Sequence, residues 1–228
     1  MVHETPRRRR HDANLGRILE GAMELIVAGG LEALSMARLA EAVDYTAGAL
    51  YRYFPSKDAL LAALVAQVLD EVQGSLAKAE AALPKGAFPL TRVFALAAGY
   101  RAFAKERPHA FALLAMTMAE PKVLLSGPSA EPVTTRVIAT LELLAQALGD
   151  AEAQGQLEPG DVTERTLCLF ATLQGLLMLH KQARFAPAVL DFERLVPAAT
   201  RTLLLGWGAK TRAADAALEK SLSTGDAS

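Results

Sequence analysis

A single cysteine, a single tryptophan and an aromatic share of only 6% mark the sequence as poor in the residues that usually advertise chemistry. With Cys168 alone, no intramolecular disulfide is possible, and a reducing compartment fits. No apolar run approaches the roughly 18 uncharged residues of a membrane helix. The N-terminal arginines are not followed by the apolar stretch of a secretory leader. The expectation is a cytoplasmic protein with no membrane partner. Motif signals for catalysis are missing too: there is no phosphate-cradling glycine loop, nucleophile elbow or dinucleotide fingerprint. His3, His11, His109 and His180 show no metal-ligand spacing with cysteine or carboxylates, and Cys168 stands in the apolar run Leu167-Cys168-Leu169-Phe170, which activates nothing. Neither enzyme activity, nor a metal, nor a cofactor is expected. Charge excess is also absent, with a net charge of −1. Any nucleic-acid contact must therefore rest on local clusters of cations, because counterion release depends on the charges that meet phosphates.

What the sequence has is alanine, leucine and helical periodicity throughout, with no strand-like alternation and no internal repeat. The chain is organised around the stretch from Leu34 to Asp58. Ser35 is a good N-cap, and Met36, Leu39, Ala40 and Val43 follow it at the spacing of one buried helical stripe. Asp44 tolerates the left-handed backbone of a tight turn. Thr46 then caps a very short helix through Ala47, Gly48, Ala49, Leu50 and Tyr51. Pro55 prevents continuation, and Ser56 opens the next helix. Two short helices joined by a tight turn and followed by a capped support helix form a helix-turn-helix layout. The second helix combines small residues (Ala47, Gly48, Ala49) with polar and aromatic reaches from Tyr45, Thr46, Tyr51, Arg52 and Tyr53. Entry into a DNA major groove requires that combination.

The run from Leu34 to Leu61 resembles the DNA-binding motif of the tetracycline-repressor (TetR-like) family of bacterial transcription regulators. Ala40, Ala42, Thr46, Gly48, Leu50-Tyr51, Tyr53-Phe54, Ser56-Lys57 and Leu60-Leu61 stand where that pattern has them. Asp44 replaces the usual turn glycine, and Tyr45 replaces a small apolar residue, so that this side chain either packs inward or faces the groove. On this reading Tyr45, Thr46, Ala47, Gly48, Ala49 and Tyr51 lie at or in the groove. Ser35, Met36, Arg38, Arg52, Tyr53 and Lys57 flank it, Lys57 near the positive end of its own helix.

The remainder reads as follows. Residues 1–11 are a disordered basic arm whose Arg7, Arg8, Arg9 and Arg10 are either a solvated tail or a reach to phosphates and the minor groove. Residues 12–58 are the DNA-binding domain, its first helix capped by Asp12 or Asn14 and ended by Gly29-Gly30. Residues 59–220 are a ligand-binding and dimerisation domain, and 221–228 a flexible tail. A helix from Ser56 to about Leu83 spans about 40 Å and connects head to body. The fold expected is all-α, about nine helices by their caps and breakers.

Two C-terminal segments, 163–184 and 190–209, are more apolar than one core-facing side requires, which suggests a partner. Two copies of such a pair make a four-helix homodimer interface, the arrangement that the resemblance also implies. The body also holds Tyr100, Phe103, His109, Phe111, Met116, Met118, Phe170, Gln174, Met178 and His180. Aromatics and methionines with a few polar groups describe a pocket for a small, mostly apolar effector. The expected function is a repressor that binds a palindromic double-stranded DNA operator as a dimer and is released by that effector. The alternative is a helical ligand-binding or scaffolding protein without sequence-specific DNA binding.

Overall fold

The computed structural model describes residues 5–119 and 129–225, and these contain ten α-helices and no strand. They fall into two compact units, one of residues 1–68 with 109–135 and the other of 69–108 with 136–228.

The first unit carries the head. Helix α1 (Pro6–Gly29) starts with proline at its first position, preset for helix, with no side-chain cap at Thr5. The basic stretch is therefore helical from Pro6 onward, which corrects both the disordered arm and its capping at Asp12 or Asn14. Arginine is a good helix former, and proline at N1 costs nothing because its missing N–H is unpaired there anyway. Arg8, Arg9 and Arg10 are exposed; the Arg7 side chain lies outside the described residues. Gly30, at a φ of +71°, ends α1 as expected. A 3-10 turn (Leu31–Ala33) leads to α2 (Met36–Ala42) and α3 (Ala47–Tyr51). Gly21 lets α2 approach α1 closely, since a methyl there would sit 2.5 Å from Val43 Cγ1. Helix α6 (Pro108–Ala119), apart from its first residue, also belongs to this unit.

Helix α4 (Lys57–Ala81) is divided between the two units at Val68 and Leu69. Its first turn is held by Ser56 Oγ, which accepts from the Ala59 N–H at 3.0 Å.

In the second unit, α5 (Pro89–Glu106) packs against α8 (Val162–Met178), α9 (Phe192–Gly206) and α10 (Thr211–Gly225). Glycine at position 99 permits α5 to lie against α4: an added methyl would stand 2.9 Å from Ala79 Cβ. Helix α7 (Glu131–Ala153) ends near Gly155, whose φ is +65°. Asp161 caps α8, accepting from the Glu164 N–H at 3.0 Å. The apolar segment predicted over 163–184 is α8 followed by a 3-10 stretch, Leu179–Arg184.

Helix α10 occupies residues 221–225 of the expected loose tail, and 226–228 lie outside the described residues. Gly208 at φ +93° stops α9, and among its described side chains the new helix buries only alanines, Ala214 and Ala217. Methyl groups give little apolar periodicity, so the sequence pattern there is faint.

Two stretches, Lys57–Ala81 and Val162–Arg184, pass for membrane-crossing helices by length and composition alone. In the first, 56% of the apolar window is buried within the protein, as in a core helix. Only 33% of the second is buried, so the surplus apolar face predicted there exists.

Candidate functional site

The helix-turn-helix is built by short-range bonds. Ser35 Oγ accepts from the Arg38 N–H at 3.2 Å, and Thr46 Oγ1 accepts from the Ala49 N–H at 3.2 Å, so both short helices are capped as the sequence predicts. Between them Asp44 takes a φ of 58°, the left-handed conformation expected of it. The Tyr45 N–H then closes the turn on the Ala40 carbonyl at 2.8 Å. Leu39, Ala40, Val43, Leu50 and Phe54 are buried and fix α2 and α3 together.

That packing leaves one face of α3 outside. Thr46, Ala47, Gly48 and Arg52 are exposed, Ala49 is partly so, and Tyr51 is 51% exposed. A methyl added at Gly48 would meet no atom within 4 Å. Nothing inside the protein therefore requires glycine at this place. Arg38 is exposed on α2, and Arg8 to Arg10 on the first turns of α1.

Four members of the predicted set stand differently. Met36 is 7% exposed and packs in the head, so it presents no face to DNA; it is the first apolar residue of the buried stripe of α2. Lys57 is exposed but directs its Nζ to the Leu31 carbonyl at 3.3 Å. Tyr45 is half-buried, its ring edge-on to Tyr53 at 6.3 Å and capped by the Arg17 guanidinium at 5.8 Å. Tyr53 in turn stacks on His11 at 5.1 Å and accepts from Asn14 Nδ2 at 3.2 Å. Arg17 also donates to the Val43 carbonyl at 3.2 Å. His11, Asn14 and Arg17 were missed by sequence reasoning. Their only signal is polar residues at three-residue spacing along α1, beside its apolar stripe.

The predicted effector residues are found in both compact units. His109, Phe111, Met116 and Met118 belong to the first unit and the rest to the second. Phe103 and Phe111 are buried, His109 is exposed, Met116 is partly exposed, and Met118 and Met178 are 52% and 42% exposed. What does come together is Tyr100, Phe103, Phe170 and Gln174. The Tyr100 ring lies 6.4 Å from Phe103 and 6.1 Å from Phe170, and its hydroxyl donates to Gln174 Oε1. Burial pushes the Tyr100 phenol pKa up, so the group stays a neutral donor. Tyr100 and Phe170 line a small cavity of about 50 Å³ with Leu96, Leu141, Leu144 and Leu173. His180 lines a separate surface pocket of about 530 Å³, beside Arg101 and Lys105, which are both paired with Glu193.

A capped two-helix motif with an exposed, small-residue second helix defines a helix-turn-helix DNA-binding protein. Residues 18–64 match the bacterial regulatory proteins of the tetR family, and residues 93–203 match the tetracyclin repressor-like C-terminal domain. The chain belongs to the TetR family and is a transcriptional regulator of that family.

Among curated relatives it is similar to the HTH-type transcriptional repressor KstR of Rhodococcus jostii, 38% identical over 77 residues, 34% of either chain. The match thus spans about a third of that relative's length. Among solved structures it is similar to a protein of unknown function from Rhodococcus sp. RHA1, with a TM-score of 0.70 at 24% identity, over 92% of this chain and 98% of that one. It also shares its fold with FadR of Bacillus subtilis, solved in complex with stearoyl-CoA, with a TM-score of 0.66 at 14% identity, over 83% and 97% of the two chains.

Proposed function

We propose that the protein is a repressor that binds a palindromic operator as a homodimer and releases it when a small, mostly apolar effector enters the second unit. The observation that carries the DNA-binding part is Gly48. It lies exposed in a capped helix, with nothing in the protein that a side chain would meet. Glycine in a helix interior costs about 0.5–1 kcal/mol relative to alanine, so its use here answers to something outside the chain. Close approach of α3 to base edges supplies the reason. Tyr51, Thr46 and Ala47 then face the groove, and Arg38, Arg52 and the arginines of α1 face phosphates.

Dimerisation rests on α8 and α9. Leu167, Cys168, Ala171, Gly175 and Met178 form one exposed stripe along α8, apart from its buried face of Leu169, Leu173 and Leu177. Such a stripe of apolar and small side chains suits a second copy of the same helix pair. Two heads then read half-sites about 34 Å apart. The effector reading is supported by the cavity beside Tyr100, and by the relative of this fold that holds stearoyl-CoA. A reducing, cytoplasmic setting and the absence of catalysis follow from the regulator role.

Selection of duplex DNA from a random pool at moderate salt tests the proposal. Recovery of a palindrome with fixed half-site spacing is expected. On that probe, Tyr51→Ala should weaken binding by at least about tenfold with an unchanged melting temperature, as loss of a base-edge contact. An affinity within about twofold of the parent would remove α3 from the groove. Salt-sensitive binding without a recovered sequence would leave a helical ligand-binding protein with a non-specific basic surface.

A further inference from the structure

We infer that Gln174 is the group that reads the effector, and that the effector buries an apolar body carrying one uncharged hydrogen-bond acceptor, such as a ketone, ester or thioester carbonyl. This deepens the effector reading above and rests on it.

Gln174 is 7% exposed, and its Nε2 is buried with no hydrogen-bond partner among the described residues. A buried amide donor without a partner carries a desolvation cost that leucine at this place would avoid. The orientation of the amide is set from outside. The buried Tyr100 hydroxyl needs an acceptor, takes Oε1, and so turns the NH2 group the other way. Gln174 does not itself line the cavity, but its neighbours do. Leu173 precedes Gln174 and Phe170 lies one turn back on α8, and both line the cavity, as Tyr100 does. No charged side chain lines it. A charged group buried there would find no counter-ion, so the acceptor is uncharged.

At about 50 Å³ the cavity accommodates a functional group but not a whole effector, which needs about 300 Å³ or more. The wall that gives way is α7. Thr140, Leu141 and Leu144 line the cavity from the stretch of α7 that buries no residue fully; only Ala147, Leu148 and Ala151, further on, are buried. That stretch is tied to α4 by polar contacts. Gln73 Nε2 donates to the Arg136 carbonyl at 3.2 Å and to Thr140 Oγ1 at 3.1 Å, and Arg136 pairs with Asp70 at 2.7 Å. An entering apolar body must loosen those ties, and both Gln73 and Asp70 belong to α4.

The test uses the full chain with 2-alkanones from hexanone to tetradecanone, against n-alkanes and carboxylates of equal length. Melting temperature and calorimetric affinity are the readouts. The proposal expects at least one ketone to bind about tenfold more tightly than its alkane and its carboxylate. In Gln174→Leu the ketone and the alkane should bind alike. The double variant Tyr100→Phe with Gln174→Leu removes the hydroxyl left without an acceptor and should give the same convergence in a well-folded protein. A ketone preference that survives either variant overturns the assignment, and so does a series in which no ketone raises the melting temperature. Operator affinity is followed in parallel. A bound ketone that leaves DNA affinity unchanged overturns effector control while Gln174 recognition stands. Release of DNA by ketones and alkanes alike overturns Gln174 recognition while effector control stands.

Discussion

The head and the body hold their functional side chains in place over different distances along the chain. In the helix-turn-helix the capping bonds join residues three apart, Ser35 to Arg38 and Thr46 to Ala49. In the second unit Tyr100 meets Gln174 across 74 residues and Gln73 meets Thr140 across 67. Local bonds are written in local sequence. Bonds between distant helices depend on packing angles and on which face of each helix turns inward, and no short pattern encodes these. That is why the caps, the left-handed Asp44 and the exposed face of α3 were legible, while the ten effector candidates, chosen by residue type, are a mixture of buried and exposed side chains.

The contrast can be sharpened first where the body depends most on one distant side chain. Arg165 has only 8% of its side chain exposed; it pairs with Glu152 at 3.1 Å, donates to the Glu158 carbonyl at 2.8 Å and lies 5.8 Å from the Trp207 ring. It thereby joins the end of α7, the start of α8 and the end of α9. Arg165→Leu should cost about 2–4 kcal/mol, somewhat below the range for a fully buried pair because Glu152 keeps access to water. The urea midpoint of the full chain measures it. A loss below about 0.5 kcal/mol would mean that packing of the three helices holds this corner without the charge.

A pair of glycines separates folding from function within the head. At Gly21 added carbon atoms collide with Val43, so Gly21→Val should destabilise the head by about 1–3 kcal/mol. At Gly48 there is open space, and Gly48→Val should change stability by no more than about 0.5 kcal/mol. Operator binding should respond in the opposite sense, falling more than about tenfold at Gly48 with the fold intact. Thermal melts and gel-shift titrations on both variants decide it. Unchanged DNA affinity at Gly48 would place the groove contact elsewhere on the head.

Even the head was not wholly legible, and its failures have the same cause as those of the body. Tyr45 turns on a contact between α1 and the residues around α3: Asn14 and Tyr53 are 39 apart, and Arg17 and Val43 are 26 apart. The local pattern left Tyr45 open for that reason. Met36 illustrates a different limit, since its place beside the N-cap suits a DNA contact while its spacing suits the core, and burial decided for the core. The basic start of α1 and the alanine-faced α10 were lost because charge and small side chains obscure helical periodicity.

The smallest effect tests whether the tight turn is as local as it looks. Asp44 holds a φ of 58°, a conformation that costs a residue with a side chain more than it costs glycine. Asp44→Gly removes that cost but gives the unfolded chain more freedom to lose, so the two terms partly cancel. The net result expected is a gain of about 0.5 kcal/mol in stability, read from the urea midpoint at constant slope. Operator affinity should stay within about twofold, because Asp44 precedes the groove-facing helix and lies outside the predicted contact set. A loss of stability instead would show that the Asp44 carboxylate supports the turn through its own hydrogen bonding. The turn would then owe its shape to the side chain as much as to the backbone.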